Sequence, residues 1–268
     1  MRFCFWYNLI LKAKNMKIRL LSDLHTEFRL PYKTASFSQY KGEDVLVLAG
    51  DIASGSTNVM DVIKFFKAQG FPHIVYVAGN HEYYGTSITD FNTKMAEKCS
   101  ALENVYFLNR NSVEINGVQF IGTTLWTNFR DDWFAEKQAS RFIADFKHIR
   151  DFTTSDAKAA YLCDWDYISR ETFKHQDKKC IVVTHFLPTD SCISDRFRDP
   201  RLSDLNPYFA NDLAKKIEGF KDVTWLFGHT HDAVDKVCGS TRLVCNPHGY
   251  YNAMNDGIGF DPFKTIEV

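Results

Sequence analysis

Five short polar clusters in this 268-residue chain carry the residue types that hold divalent cations. They are Asp23-Leu24-His25, Gly50-Asp51, Gly79-Asn80-His81-Glu82, Thr184-His185 and Gly228-His229-Thr230-His231. Together they offer two aspartates, an amide oxygen and five of the nine histidines, with no thiolate among them. That hard-to-borderline donor set suits Mn, Fe, Zn, Ni or Mg rather than a structural cysteine-bound zinc. Asp23 and His25 are two residues apart, as are His229 and His231. In an extended segment, side chains at i and i+2 leave on the same side, so each pair is expected to grip one centre. Each piece alone is weak: an Asp-x-His is commonly a turn with a solvated histidine, and Gly-Asp is an ordinary strand-end turn. The combination is not, and the remaining histidines, His73, His148, His175 and His248, have no comparable neighbours.

What must position these clusters is a set of strands, one ending just before each. Short apolar runs are predicted as strands over Lys17 to Leu21, Val45 to Ala49, Ile74 to Ala78, Cys180 to Val183 and Thr224 to Phe227. Open α/β sheets place their sites past the carboxyl ends of such strands. Between the second and third lies a helix over Asn58 to Gln69, with Val59, Val62, Ile63 and Phe66 at i, i+3, i+4 and i+7 and Gly70 closing it, which makes a β-α-β unit. Helices are also expected over Thr89 to Ala101, Ser155 to His175 and Pro207 to Ile217. The Asn116-Gly117 turn joins hairpin strands, and late strands fall near Val234 to Val237 and Arg242 to Cys245. The stretch 123–154 lacks periodicity and reads as irregular connections with one short helix. The fold class is therefore α/β, two facing sheets with helices outside, in a single domain over 16–268. Residues 1–15 form an N-terminal extension or reflect an upstream start. The apolar run Phe3 to Leu11 is short of the roughly 20 residues that a bilayer span needs, and Lys12, Ala13, Lys14 and Asn15 follow it instead of a cleavage site.

Hydrophobic residues make up 45% and charged residues 24% of the chain, which excludes a disordered tail, a collagen-like rod or a disulfide miniprotein. With 32 Lys and Arg against 33 Asp and Glu, the net charge is −1, so no global basic field collects duplex nucleic acid or a membrane surface. The seven cysteines are scattered and never spaced Cys-x-x-Cys, a usage that fits reduced thiols and a cytoplasmic location.

In order, spacing and content the five clusters resemble the calcineurin-like metallophosphoesterase superfamily, over Asp23 to His231. The resemblance implies a four-layer α/β/β/α sandwich of two mixed β-sheets flanked by helices. It implies two divalent ions, one held by Asp23, His25 and His231, the other by Asn80, His185 and His229, with Asp51 bridging both. His81 is then the catalytic residue and, with Asn80, faces the substrate phosphate. The implied activity is a phosphodiesterase or phosphomonoesterase that uses a hydroxide bridging the two ions, about 3.5–4 Å apart, on a small-molecule or nucleotide phosphate. Four positive charges from the ions against two negative ones from Asp23 and Asp51 would leave a local positive pocket.

The sequence also departs from parts of that family. Protein Ser/Thr phosphatases continue the second cluster as Gly-Asp-x-x-Asp-Arg-Gly. This chain reads Gly50-Asp51-Ile52-Ala53-Ser54-Gly55-Ser56, so Ser54 replaces the acid that orients their catalytic histidine, and that activity is not expected. Phe186 stands where many relatives have a second histidine. Glu82 is either a first-turn residue or an orienter, and the sequence leaves that open. For substrate contacts, Arg196, Arg198 and Arg201 in the connection 186–205 are the candidates to reach a phosphate, against the alternative of a solvated loop. Trp126, Asn128, Phe129 and Trp133 either floor a base-stacking cleft or pack ordinarily, and Asn246 to Tyr250 either line the cavity or form a turn. A nuclease on short single strands and a noncatalytic metal-binding scaffold remain alternatives, the latter disfavoured because no motif residue is missing.

Overall fold

The computed structural model describes residues 15–199, 203–251, 253 and 256–268; the expected extension, apart from Asn15, lies outside them. A first sheet has the strand order β11-β1-β2-β3-β4, made of β1 (Lys17–Leu21), β2 (Val45–Ala49), β3 (His73–Val77), β4 (Val105–Phe107) and β11 (Thr265–Glu267). β1 to β4 run parallel and β11 antiparallel to them. A second sheet has the order β5-β6-β7-β8-β10-β9. Its members are β5 (Asn111–Ile115), β6 (Val118–Gly122), β7 (Cys180–Val183), β8 (Val223–Phe227), β9 (Val234–Cys238) and β10 (Thr241–Cys245). Here β6, β7, β8 and β10 are parallel, with antiparallel β5 and β9 at the edges.

The strands alternate in which layer they feed. Leu20, Val45, Val47, Val75 and Val77 point between the sheets and meet Phe120, Ile181, Val183, Leu226 and Val244 there. Leu46, Leu48, Ile74 and Tyr76 point the other way, into a cluster with Val59, Ile63 and Phe66 of the Ser56–Ala68 helix. A strand buried on both faces reads as an unbroken apolar run, which is why β2 is Val-Leu-Val-Leu-Ala. The Ser56–Ala68 and Ile88–Ser100 helices cover the first sheet and the Thr154–Lys174 helix covers the second, completing two mixed sheets flanked by helices. The long helix starts on a capping box, with Thr153 and Asp156 bonding each other's backbone amides. Among the described residues no helix is long and apolar enough to cross a membrane.

Three stretches differ from the sequence-based expectation. Residues 123–154, expected to hold one short helix, hold a helical turn, Asp145–His148, and a ten-residue helix, Trp133–Phe142, whose N-cap Asp132 accepts from the amides of Phe134 and Ala135. Its periodicity is concealed because it buries only Ala135 and Ala139 and turns Trp133 and Phe142 to solvent. The expected helix from Pro207 to Ile217 is two single turns, Asn206–Phe209 and Ala214–Ile217. Between them Ala210 pairs with Leu187, and the amides of Asn211 and Leu213 donate to the carbonyls of Leu187 and Pro188, contacts that a continuous helix forbids. The three-residue β11 is too short to carry a period.

Candidate metal centre

The five clusters sit at the carboxyl ends of β1, β2, β3, β7 and β8, and the packing of the two sheets brings those ends together. Two bonds tie the sheets at this point. His185 Nδ1 donates to the carbonyl of Ala49 (2.9 Å), and the amide of His229 donates to the Asp23 carboxylate (3.0 Å). Approach is close enough that side chains are excluded at the neighbouring glycines. A Cβ on Gly50 would overlap the His185 ring and one on Gly79 the Asp51 carboxylate.

Asp23, His25, Asp51, His229 and His231 all have φ between 44° and 71°, the left-handed region. Non-glycine residues adopt it uncommonly, and such conformations gather at functional sites where the surrounding fold holds them. This corrects one expectation. Neither pair is in an extended segment: Asp23 and His25 still join one group, whereas the left-handed turns send His229 and His231 to two.

Asp23, His25 and His231 form one group whose donor atoms lie within 4.8 Å of one another, and Asp51, His185 and His229 form another. Asn80 joins the second, its Oδ1 lying 3.1 Å from His185 Nε2. Asp51 lies between them: its Oδ2 is 3.6 Å from His25 Nε2 and 3.4 Å from His185 Nε2. The structure thus brings together all seven residues expected to bind metal. A third cluster, His25, Glu27 and His81, also has a metal-site composition, but hydrogen bonds account for it, as described below.

The residues fit divalent cations on three observations. His229 Nε2 is buried with no hydrogen-bond partner. His25 Nε2 and His231 Nε2 face each other at 3.2 Å although the Nδ1 atom of each is engaged by a carboxylate, an arrangement that asks for a shared cation between two lone pairs. And the two buried aspartates demand positive charge. Burial disfavours a charged His185, yet Asp51 and Asp23 raise its pKa to about 9; His231, likewise buried, is raised to about 10 by Asp23 and Asp256. Without metal, protons take the place that cations would fill. His229 goes the other way: burial and the neighbouring His185 push its pKa well down, leaving the neutral imidazole that a metal needs.

A set of outer carboxylates fixes these groups. Glu27 Oε1 accepts from Nδ1 of both His25 (3.0 Å) and His81 (3.1 Å). Burial works against its charge, but the two imidazoles hold its pKa at about 2. Asp256 accepts from His231 Nδ1 at 2.9 Å. Asp145 accepts from Asn80 Nδ2 (2.9 Å) and from the hydroxyls of Tyr84 and Tyr208, which turns the amide so that its oxygen faces His185. Glu82, open in the sequence, is fully buried and accepts from the amides of Asp51, Ile52 and Gly79, clamping the turn after β2 to the turn after β3. Glu27 supplies to His81 the carboxylate missing at Ser54. It lies in a single helical turn, Thr26–Phe28, directly after His25, and only its nearness in sequence to the first cluster pointed to it. Asp145 opens a single helical turn, Asp145–His148, and Asp256 lies in an irregular stretch, and neither had such a signal.

His81 lines a cavity of about 780 Å³ that opens over the centre, its ring stacked on Tyr84. Arg196 also lines it, but its guanidinium is paired with both oxygens of Asp232 (2.7 and 2.8 Å). Arg198 is not brought to the site; it binds Asp190 and the Ile193 carbonyl. Arg201 lies outside the described residues. Of the candidate stacking residues none lines the cavity: Trp126 and Phe129 are core, and Trp133 is solvent-exposed. Tyr250 does line it, beside His81, whereas Phe186 is buried against the His229 ring.

Comparison with known proteins agrees with this geometry. The chain is 30% identical over 278 residues to "Uncharacterized protein L509" of Acanthamoeba polyphaga mimivirus, covering 94% of this chain and 96% of that protein. Among solved structures, the phosphopantetheinyl hydrolase of Mycobacterium tuberculosis superposes with a TM-score of 0.70 at 15% identity, over 89% of this chain and 91% of that one. A dimetal phosphatase from Danio rerio does so with 0.56 at 12%, over 88% of each. Both likenesses show the fold. Residues 16–233 match the calcineurin-like phosphoesterases, a span that holds all seven converging side chains and His81, and the chain is a member of that family.

Proposed function

We propose that the protein is a two-metal-dependent phosphoester hydrolase acting on a small-molecule phosphate. The observation that carries this is the convergence of Asp23, His25, Asp51, Asn80, His185, His229 and His231, with the His229 nitrogen buried and unpartnered. In this reading Asp23, His25 and His231 hold one ion, Asn80, His185 and His229 the other, and Asp51 both. Bound there, the ions supply Lewis-acid polarisation of the phosphoryl group and acidify water for attack.

The chain's own residues do the rest. Glu27 keeps the proton of His81 on Nδ1 and leaves Nε2 facing the cavity, where Tyr250 Oη approaches to 3.4 Å. Burial disfavours the charged form of His81, but Asp51 and Glu27 raise its pKa, so a proton on Nε2 is available to the departing ester oxygen as its bond to phosphorus breaks. Among the described residues lining the cavity, Arg196 is the one arginine or lysine and is already paired, which supports a small substrate over a duplex or a strand. The free thiols of the described cysteines accord with a cytoplasmic place for the reaction.

The test is metal content by elemental analysis together with hydrolysis of aryl phosphomonoesters, aryl phosphodiesters, cyclic nucleotides and short single strands. Bound metal with turnover of the small esters is expected. Stoichiometric metal with no hydrolysis of any ester identifies a scaffold, and preference for the strands identifies a nuclease.

A further inference from the structure

We propose that the phosphoester taken by this site carries an extended apolar arm that lies along a wall of Ile143, Leu187, Ile193, Phe197, Leu205 and Phe209. The proposal rests on the phosphoester reading of the same site and adds the class of the organic group. The cavity holds about 780 Å³, in the range that receives whole organic ligands and far more than a phosphoryl group fills. Asp51, Asn80, His81, His229 and His231 of the candidate metal centre line it too, so the centre and the cavity are one space. The wall residues come from the two long connections that follow β6 and β7, so the apolar surface is continuous with the candidate metal centre.

Three polar side chains along that wall are already engaged. Asn206 donates its amide to the Phe197 carbonyl, Tyr208 donates to Asp145, and Arg196, the one arginine or lysine lining the cavity among the described residues, is bound to Asp232 and faces Asp256 at 3.5 Å. A second phosphate or a polar base edge would be desolvated there against carboxylates and carbon, whereas an alkyl chain would displace water from carbon at both surfaces.

The test uses the metal-loaded protein and two series: alkyl p-nitrophenyl phosphodiesters from methyl to octyl for turnover, and n-alkylphosphonates of the same lengths for binding by calorimetry. In both, kcat/KM or affinity is expected to rise about threefold per methylene until the wall is covered, with a heat-capacity change that grows more negative along the series. Ile143→Ser and Leu205→Ser, both at half-buried positions, are expected to reduce that gain per methylene. Turnover of the methyl ester with no gain along either series overturns the apolar arm and leaves hydrolysis standing. Length-dependent phosphonate binding without turnover of any ester supports the arm and overturns hydrolysis. Preference for a nucleoside ester over the octyl ester overturns the arm.

Discussion

Glu27→Ala tests the site's wiring because one oxygen, Glu27 Oε1, serves two histidines with different work. It holds His25, which faces the metal group of Asp23 and His231, and His81, which faces the cavity. Removing an outer partner of a ligating histidine costs about 10- to 100-fold in metal affinity. Removing the partner that fixes the proton and ring of a general acid forfeits part of a contribution of about 10²- to 10⁴-fold. The variant is therefore expected to bind metal roughly 10- to 100-fold more weakly and, at saturating metal, still to run about 100-fold slower. Glu27→Gln keeps an acceptor oxygen and should lose less on both counts. The separating measurement is the double variant Glu27→Ala/His81→Ala. Its kcat at saturating metal should match that of His81→Ala, since the rate effect runs through His81, while its metal affinity should fall as in Glu27→Ala, since that effect runs through His25. Fully additive losses in kcat, or a Glu27→Ala enzyme at full rate under saturating metal, would refute the shared-oxygen argument.

Asp51→Asn removes the charge between the two groups and should abolish turnover and lower metal content, whereas His81→Ala should keep the metal and lose about 10²- to 10⁴-fold in kcat; elemental analysis beside steady-state rates distinguishes them. Gly79→Ala puts a methyl group into the Asp51 carboxylate and should lower metal content although nothing ionisable has changed; a variant with full metal occupancy would show that the turn can yield. Metal-free protein should lose thermal stability as pH rises from about 6.5 to about 10. The sign follows from His185 and His231, whose folded pKa values, about 9 and about 10, exceed the ordinary value of 6.5: their stabilisation is complete below 6.5 and is lost as each deprotonates. Metal-saturated protein should be flat over the same window, because the cations replace the protons; scanning calorimetry at stepped pH reads both.

The parts legible in the sequence were those with a period or a motif. β2 and β7 read as unbroken apolar runs because both faces are buried, and the polar residues just after them carried part of the site. The one short helix expected in 123–154 could not be placed at Trp133–Phe142 because its aromatics face solvent, which inverts the usual inside-out pattern. The arginines of the 186–205 connection suggested phosphate contacts, but Arg196 and Arg198 are each matched by a nearby aspartate, and beside Arg196 the members of that connection that line the cavity are apolar. Asp145 and Asp256 were invisible because their meaning lies wholly in what they touch across 65 and 25 residues of chain.

Those outer carboxylates also explain why the centre tolerates its own strain. Five ligand candidates hold left-handed backbone, and two aspartates and two histidines there have essentially no exposure, an arrangement that costs free energy in several ways at once. Each cost is met locally. Glu82 accepts three amides that the turns after β2 and β3 expose, Asp23 accepts the amide of His229, and Glu27, Asp256 and the Ala49 carbonyl take the Nδ1 protons of His25, His231 and His185. With these outward atoms satisfied, the inward Nε2 atoms and carboxylate oxygens of the centre face one another. The scaffold has therefore been arranged so that the remaining imbalance is a surplus of negative charge and lone pairs at a single point, and cations answer it more completely than protons do because one cation accepts several donors at once.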